Sequence, residues 1–425
     1  MVKQILDLHI HSKYSRACSK SIELESIAQT CEEKGINIVS TGDFTHSLWY
    51  KHIKDSLIET YKGSGIYKLK NNKSKTKFIL GTEIACIKKH KGVCRRLHLC
   101  IFAPSIESVF KLNSELEKAG FNIRSDGRPI LGMTAKDLLI FIKKIDKNMQ
   151  MIPAHVWTPW FGLFGSKSGY DSLEECFEEL SSEIFALETG LSTDPYMNWK
   201  WSKLDKYTLV SNSDAHSLKK LGREANVLNF KNEKEINLKN IFEIIKNKNK
   251  DEFLYTIEFY PEEGKYHYDG HRDCNFVCDP KEAKKYKGIC PVCKKKLTLG
   301  VCNRIEKLSD RNEKQIKEQI KKNIPYKSLV PLQEILSDVF EKGVNTKTVQ
   351  NEYNNLIKKI GNEFFILLEA DLEKYVGVVD KRILDAINRV RKGDIYIKPG
   401  YDGEFGVVKV FDDKKRKNKN LKIEF

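Results

Sequence analysis

Histidines and carboxylates in the first half of the chain stand where a metal site could form. Six of the ten histidines, one glutamate and one aspartate lie at the carboxyl ends of short apolar runs. The eight residues are His9, His11, His46, Glu83, His98, His155, Asp214 and His216. Zinc, manganese and iron bind such mixtures of imidazole and carboxylate. One buried histidine is more often a core residue than a ligand, but eight ligand-type residues after separate strand patterns indicate one shared site.

The number of candidate ligands indicates more than one ion. A single zinc ion takes four or five ligands, whereas eight suit two or three divalent metals, with Zn, Mn and Mg as candidates. Adjacent metals about 3.5–4 Å apart can clamp a phosphate and stabilise its leaving oxygen. Asp7 and Asp43 lie close to the ligands in sequence and are predicted to orient their imidazoles. The residues therefore predict phosphoester hydrolysis.

The elements that must position these residues follow an α/β pattern. Apolar runs of four to eight residues, such as ILDLHIH, KFILGTEIA and YTLVSNSDAH, alternate with helical patterns up to about residue 220. This alternation predicts a parallel sheet, closed or nearly closed into a barrel whose strand ends share one rim. Thr134 with Asp137 and Asp171 with Glu174 predict capping boxes, and Gly35 predicts a helix end.

A second set of metal-binding residues lies outside the barrel pattern. Cys290 and Cys293 form one C-x-x-C pair, and His271 with Cys274 forms a matching H-x-x-C pair. Two close pairs are typical of a structural zinc site, which predicts one structural Zn here. Cys278 is the alternative to His271 as the fourth ligand, although the two-residue spacing favours His271.

An aromatic, glycine-rich segment follows His155. Trp157, Trp160, Phe164, Ser166, Lys167, Ser168 and Tyr170 are the predicted substrate contacts, together with Phe161. Such side chains could stack on an unpaired base while hydroxyls and backbone amides hold phosphates. The alternative is a self-packed loop that plugs the barrel mouth.

Composition bounds the remaining possibilities. A chain of 425 residues predicts several domains, here 1–251 (barrel), 252–305 (zinc module) and 306–425 (mainly helical). The net charge of +16 favours a polyanionic partner such as nucleic acid. The odd number of 11 cysteines argues against a disulfide framework, and no signal peptide or membrane span is recognisable, so a cytoplasmic protein is expected.

Basic side chains in the helical part are candidates for contact with a DNA backbone. They are Lys321, Lys322, Lys327, Lys358, Lys359, Arg389 and Arg391, followed by the basic tail Lys414, Lys415, Arg416, Lys417 and Lys419. Exposed lysines are ordinarily just a solvated face, and that interpretation stays open.

The motifs DLHIHS, TGDFTH, GTEI, RLHL, PAHVW and SDAH resemble those of the PHP (polymerase and histidinol phosphatase) superfamily. This resemblance implies a distorted seven-stranded (β/α) barrel with a trinuclear site. Many members carry an acidic ligand shortly after the second histidine, where this chain has Arg16, so the third metal is in question.

Within the superfamily, longer segments resemble the endonuclease Q family. They are HSKYSRACSK, GDFTHSLWY, PAHVWTPWFGLFGSKSGYDSLEECF, ETGLSTDPYMNW, VSNSDAHS, YHYDGHRDC, ICPVC and PGYDGEFG, spread over nearly the whole chain. The resemblance implies an enzyme that cuts DNA on the 5′ side of deaminated bases (uracil, hypoxanthine, xanthine) and of abasic sites. DNA containing damaged bases is then the partner, a sliding clamp or another repair protein is a further candidate, and a monomer is expected.

Two other functions compete with a repair endonuclease. A small-molecule phosphatase of the histidinol-phosphate type could use the same metals, but it would need neither the zinc module nor the residues beyond the barrel. A DNA-binding protein with a degenerate barrel would not need the full set of ligands.

Overall fold

The computed structural model describes residues 1–71 and 73–411, and these form two compact units. The first unit comprises Met1–Glu32, Ile36–Glu258 and Arg304–Lys327. The second comprises Glu33–Gly35, Phe259–Asn303 and the described chain from Ser328 onward. The division at residues 251 and 305 stays a prediction, and the basic tail from Lys414 to Lys419 lies outside the described residues.

Short strands and helices make up most of the described chain. The strands are β1 (Val2–Asp7), β2 (Ile38–Ser40), β3 (Leu57–Glu59), β4 (Ile66–Leu69), β5 (Lys77–His90), β6 (Val93–Ala103), β7 (Ile130–Leu131), β8 (Gln150–Pro153), β9 (Ala186–Glu188), β10 (Thr208–Val210), β11 (Ala225–Phe230), β12 (Phe253–Glu258), β13 (Asp269–His271), β14 (Phe276–Cys278), β15 (Tyr326–Ser328), β16 (Tyr396–Lys398) and β17 (Val407–Lys409). The helices are α1 (Leu24–Lys34), α2 (Ser47–Ser56), α3 (Ile106–Lys118), α4 (Ala135–Ile145), α5 (Leu173–Phe177), α6 (Pro195–Asn198), α7 (Leu238–Asn247), α8 (Pro280–Lys285), α9 (Val301–Leu308), α10 (Glu313–Lys322), α11 (Leu332–Phe340), α12 (Lys347–Lys359), α13 (Glu363–Leu368) and α14 (Lys381–Lys392).

The first unit is an α/β structure, which confirms the predicted class, but its large sheet is mixed. β1, β2 and β5 are parallel neighbours, as the alternation of strands and helices predicts. β11 is antiparallel to both β1 and β12, and β6 is antiparallel to both β5 and β8. Apolar residues of the strands, including Leu6, Ile38 and Ile79, form a buried core with α7.

The pairing of β5 with β6 has a local cause. Lys91 and Gly92 alone connect the two strands, and both have positive φ, 48° and 85°. A two-residue turn with two left-handed residues closes an antiparallel hairpin, and it is far too short for the crossover that parallel strands need. The uniformly parallel sheet predicted from the sequence is therefore wrong at this hairpin.

The small sheet of β9 and β10 joins the large sheet through a few hydrogen bonds. On one side the Val156 amide, just after β8, donates to the Glu188 carbonyl at 3.0 Å. On the other side the Asn226 side chain of β11 spans the gap: Nδ2 donates to the Ser211 carbonyl at 2.8 Å, and Oδ1 accepts from the Ser211 amide at 3.0 Å. The sheet thus approaches the closed, distorted barrel that the family resemblance implies.

Helix ends agree largely with the sequence signals. The capping box of Thr134 and Asp137 is present, and α1 ends before Gly35, whose φ is 88°. The second capping prediction is off by one residue, because Ser172 and not Asp171 accepts the amide hydrogen bond at the start of α5. Among the described residues, no helix is long and apolar enough to cross a membrane.

The second unit combines the cysteine-rich hairpin of β13 and β14 with helices α11 to α14 and the hairpin of β16 and β17. The mainly helical character predicted after residue 306 is confirmed for this stretch.

Candidate metal centre

Strands of the first unit gather seven of the eight predicted ligands. His9 and His11 follow β1, His155 follows β8, and Asp214 and His216 follow β10. Glu83 and His98 differ from the prediction, because they lie within β5 and β6 and these strands run on past them. The ligand atoms approach one another in overlapping groups, each within 4.8 Å: His9, His11 and Glu83; His11, Asp214 and His216; and Glu83, His98 and His155.

Glu83 is the centre of the cluster. Its Oε1 atom lies 2.8 Å from His98 Nδ1, 3.0 Å from His155 Nε2 and 3.6 Å from His9 Nε2. Its Oε2 atom lies 3.3 Å from His11 Nε2. The side chain is fully buried, and its two oxygens face nitrogen atoms of four imidazoles from three segments of the chain. Such a buried carboxylate would hold divalent ions together with the surrounding imidazoles.

Three buried atoms of the cluster point at one another without a well-formed hydrogen bond. They are His9 Nε2, His11 Nε2 and Asp214 Oδ1. Asp214 Oδ1 lies 3.7 Å from the first and 3.0 Å from the second. Buried polar atoms nearly always have partners, so this arrangement fits divalent ions held by these side chains.

The opposite ring nitrogens of the two histidines are held by carboxylates. Asp43 accepts from His11 Nδ1 at 3.0 Å and is itself fixed by Ser12. Glu188, which ends β9, lies 3.0 Å from His9 Nδ1. Such contacts set the tautomer and orientation of a ligand imidazole.

Asp43 therefore has the orienting position predicted for it, whereas Asp7 does not contact an imidazole in this way. Asp7 instead accepts from the amides of Ser213 and Gly222 and so holds the loop that carries Asp214. Glu188 was missed by the sequence analysis, although it ends the apolar run FALE just as the predicted ligands end theirs.

Backbone strain marks several of the same positions. Asp43, His155 and Asp214 have φ values of 46°, 29° and 46°. Residues with a Cβ atom rarely adopt this left-handed region, and such strain is concentrated at functional sites. This backbone conformation changes the chain direction at Asp43, His155 and Asp214, shortly after their strands end.

The pKa shifts differ among the imidazoles of the cluster: the pKa is lowered at two of them and raised at His9, His11 and His155. Burial lowers the pKa of His98 to about 4 and also lowers the pKa of His216, so both imidazoles are neutral near pH 7. Burial opposes charge at His11, but the neighbouring Asp43 carboxylate raises the pKa of this histidine well above its ordinary value. Against burial, His11 in turn lowers the pKa of Asp214. A divalent ion bound at Nε2 would displace the His11 proton.

His46 is the one predicted ligand that belongs to none of these groups in the described chain. Its ring stacks on Tyr14 with 4.2 Å between the ring centroids. Burial lowers the pKa of His46, so this imidazole is neutral as well.

Arg128 is a further member of the site that the sequence analysis missed. Its Nη1 atom lies 2.9 Å from Glu83 Oε2. Burial opposes the charge of Arg128, but the Glu83 carboxylate raises the pKa of the guanidinium. Arg128 follows no strand end and belongs to no motif, so no sequence signal separated it from other arginines. Arg16, by contrast, is exposed.

The aromatic segment after His155 divides into a buried and an exposed part. Trp157, Phe164 and Tyr170 are 1%, 0% and 2% exposed. These rings pack within the loop and against its surroundings, so their predicted stacking on a base is corrected: the self-packed alternative describes them. Ser168 is buried too, and its hydroxyl donates to the Arg96 carbonyl.

The exposed part of this segment contains Trp160, Ser166 and Lys167. Lys167 Nζ lies 5.9 Å from the Trp160 ring centroid. Phe161, which has a φ of 66°, places its ring 4.3 Å from that of His98. These four side chains stay candidates for substrate contact.

In the second unit, His271, Cys274, Cys290 and Cys293 bring their ligand atoms within 4.8 Å of one another. Cys293 Sγ lies 3.7 Å from His271 Nδ1. Cys278 is outside this group and packs against Ala283 and Leu297. The geometry therefore favours His271 over Cys278 as the fourth ligand.

The predicted basic path is less uniform than the sequence suggests. Lys321, Lys322, Lys327, Lys358 and Lys359 are exposed. Arg391 donates to the carbonyls of Ile366 and Leu367 at the end of α13, and Arg389 pairs with Asp385 and Asp394. Both arginines thus have structural partners within the second unit.

The chain is similar to one protein family over a short segment and to two uncharacterized proteins over longer stretches. Residues 331–394 match the family described as the MJ0043 C-terminal domain. MJ0043 of Methanocaldococcus jannaschii, an uncharacterized protein, is 36% identical over 256 residues, which are 59% of this chain and 31% of that protein. The match thus spans about a third of this relative. The uncharacterized Bacillus subtilis protein YqxK is 28% identical over 443 residues, 96% of this chain and 100% of that protein.

Two solved structures resemble the chain from end to end. One is the lesion-specific endonuclease PfuEndoQ from Pyrococcus furiosus, with a TM-score of 0.83, 29% identity and 100% of both chains covered. The other is endonuclease Q in complex with a 27-mer duplex substrate that has an abasic lesion at the active site. Its TM-score is 0.81 and its identity 28%, and 97% of this chain and 98% of that one are covered.

Proposed function

Because this chain shares the fold of endonuclease Q over its whole length, we propose that it is a metal-dependent DNA-repair endonuclease. The finer proposal is that it hydrolyses the phosphodiester on the 5′ side of deaminated bases (uracil, hypoxanthine, xanthine) and of abasic sites. The observation that carries the proposal is the cluster around Glu83, whose buried imidazoles and carboxylates fit several divalent ions. A protein that only binds DNA would not need it.

His9, His11, Glu83, His98, His155, Asp214 and His216 would hold two or three divalent ions, with Zn, Mn and Mg as candidates. Bound there, such ions supply Lewis acidity toward a phosphodiester oxygen and its leaving group. His46 is proposed as an additional substrate or metal contact at the edge of the cluster.

The side chains of this chain contribute orientation and charge. Asp43 and Glu188 hold the Nδ1 atoms of His11 and His9, so that the Nε2 atoms of both rings face the cluster. Arg128 adds a cation next to Glu83, where it can contact an anionic phosphate oxygen. Preorganised charge of this kind loses no free energy to rearrangement when the substrate reacts.

Substrate recognition is proposed for the exposed part of the loop after His155. Trp160 and the half-buried Phe161 offer aromatic faces, while Lys167 and Ser166 offer polar contacts to phosphate. Deaminated bases pair weakly, so extruding one from the duplex costs less than extruding a normal base. The proposed function also includes one structural Zn at His271, Cys274, Cys290 and Cys293. A monomer, and a sliding clamp or other repair protein as partner, stay predictions.

The test is a strand-specific nicking assay. Duplexes labelled at one 5′ end and carrying a single uracil, hypoxanthine, xanthine or abasic site are incubated with protein and Mn²⁺, Mg²⁺ or Zn²⁺. A single nick on the 5′ side of the lesion is expected, with no nick in the undamaged duplex. Hydrolysis of histidinol phosphate with intact DNA would instead support the small-molecule phosphatase.

The Asp214→Asn variant connects the nick to the cluster. We expect it to cut at least 100-fold more slowly while binding the lesion duplex about as tightly, because it removes a ligand charge but no DNA contact. Asp55→Asn, on an exposed part of α2, is the matched control and should cut normally. Equal nicking activity in the wild type, Asp214→Asn and Asp55→Asn would rule out this cluster as the active site.

A further inference from the structure

The hairpin of β5 and β6 continues well beyond the candidate ligands that it carries. Glu83 lies seven residues before the end of β5 at His90, a distance of roughly 23 Å at the usual rise of a strand. Residues from Lys88 to Cys94 are largely exposed, so the outer half of the hairpin forms an arm beside the metal centre. We refer to residues 87–96 as the hairpin arm.

The two faces of the arm are distinguished by strand geometry. Side chains alternate between the faces of a strand, and directly paired residues of an antiparallel ladder share a face. On the face of Glu83, the successive pairs are Glu83 with Cys100, Ala85 with His98, Ile87 with Arg96, and Lys89 with Cys94. Arg96 and Lys89 therefore lie on the same face as the candidate ligands, farther out along the hairpin.

The opposite face of the arm packs against the loop after His155. The Arg95 guanidinium lies 4.2 Å from the Tyr170 ring centroid and donates to the Gly169 carbonyl. His90 Nδ1 lies 2.9 Å from the Tyr170 hydroxyl oxygen. These contacts hold the arm from behind, and the exposed side chains of Arg96 and Lys89 are not part of them.

We propose that Arg96 and Lys89 bind the DNA phosphate backbone beside the candidate metal centre, as positioning residues for the strand to be cut. The proposal rests on the proposed function. Arg96 is two residues from His98, so its Cα lies roughly 7 Å farther along the same face. The outer part of this face carries two cations and no acidic side chain, which suits a polyanion. A rigid strand presents these cations with little loss of backbone entropy.

The chain offers a matched control for this proposal. Lys88 and Lys89 are adjacent, exposed and equally charged, but they lie on opposite faces of the arm. Binding of each full-length variant to a fluorescent lesion duplex is measured by anisotropy at several salt concentrations. Arg96→Ala should bind about tenfold more weakly and reduce the salt slope by about 1, because one phosphate contact is lost. Lys89→Ala should change in the same direction, and Lys88→Ala should match the wild type.

A conservative variant tests the role of charge, and other outcomes would contradict the proposal. Arg96→Lys should restore most of the affinity, since lysine also contacts phosphate as a point charge. Equal affinities, or equal losses, for Lys88→Ala and Lys89→Ala would overturn the face-specific proposal; Lys89→Ala decides the matter if Arg96→Ala fails to fold. If the wild-type protein does not nick damaged DNA, the proposed function is refuted. If it nicks damaged DNA but the arm variants bind the duplex as tightly as it does, only this inference is refuted.

Discussion

At the scale of single residues, Glu83 sets the character of the site. Its two oxygens are approached by four imidazoles from three segments of the chain and by the guanidinium of Arg128. Arg128 compensates the buried charge of Glu83, but its own charge would repel a divalent ion held by that carboxylate. The two roles can be separated by experiment.

Replacing Arg128 by Met should tighten metal binding and slow cutting. Without the guanidinium, Glu83 Oε2 is freed and the repulsion of a divalent ion is reduced, so the affinity for Mn²⁺ should rise about tenfold. Nicking at saturating Mn²⁺ should fall at least about tenfold, because a cation near the phosphate is lost. Calorimetric titration gives the first quantity and single-turnover nicking the second.

Arg124→Met is the control for this prediction, since Arg124 lies in the same loop but pairs with Glu117 at the surface. A loss of metal affinity in Arg128→Met would contradict the argument and would show that the guanidinium mainly orders Glu83.

Residue types and spacing predicted much of the site but not all of it. Histidines and acids at the ends of apolar runs led to seven members of the cluster. Glu188 ends the apolar run FALE in the same way and was nevertheless missed. Arg128 carried no such signal, since its position depends on how a loop folds. The burial of Trp157 could not be read from the sequence either, because aromatic residues suit a binding loop and a small core equally well.

At the scale of elements, two cysteines of the second unit allow the predicted zinc site to be tested. Both cysteines belong to one small buried cluster, but Cys290 lies in the four-residue metal group and Cys278 lies outside it. Cys290→Ser should lose about one zinc per chain and lower the melting temperature. Cys278→Ser should keep its zinc, although a buried hydroxyl should cost some stability.

Zinc content measured by elemental analysis of both variants decides between the two candidate ligand sets. Loss of zinc from Cys278→Ser with retention in Cys290→Ser would reverse the assignment made here. Sequence spacing alone favoured His271 over Cys278 but could not exclude either, because ligand distances depend on the hairpin of β13 and β14.

The strand pairings show where prediction from sequence stops. Alternating strands and helices correctly indicated the parallel neighbours β1, β2 and β5. The antiparallel β5–β6 hairpin follows from a two-residue turn within the segment KKHKGVC, whose lysines gave no strong turn signal besides Gly92. The hydrogen bonds by which the Asn226 side chain links the small sheet to β11 cannot be predicted from hydrophobic periodicity.

At the scale of the whole molecule, stability should depend on a buried acid away from the cluster. Glu258 is fully buried at the end of β12 and accepts hydrogen bonds from Ser211 and Thr256. Burial raises its pKa to about 8. The folded protein therefore keeps this proton at pH values where the unfolded chain, with an ordinary pKa near 4.5, has lost it.

This difference should make the wild type less stable as the pH rises from about 5 to about 8. Glu258→Gln removes the titrating group, so its melting temperature should match the wild type at pH 5 and exceed it at pH 8 by about 5 °C. Glu243→Gln, on the exposed face of α7, should show no such difference. Parallel melting curves for the three proteins at pH 5 to 8 provide the measurement, and a pH-independent gap would contradict the stated pKa.

The turn at Lys91 and Gly92 has an effect far from its own position. Because side chains on a strand alternate, a register slip of one residue would rotate Glu83 out of the cluster and bring a neighbour such as Ile84 in its place. The length of a solvent-exposed turn, roughly 26 Å away along the strand, thus keeps Glu83 aligned with the other candidate ligands. Insertions and deletions that surface loops usually tolerate would here exchange a carboxylate for a hydrocarbon.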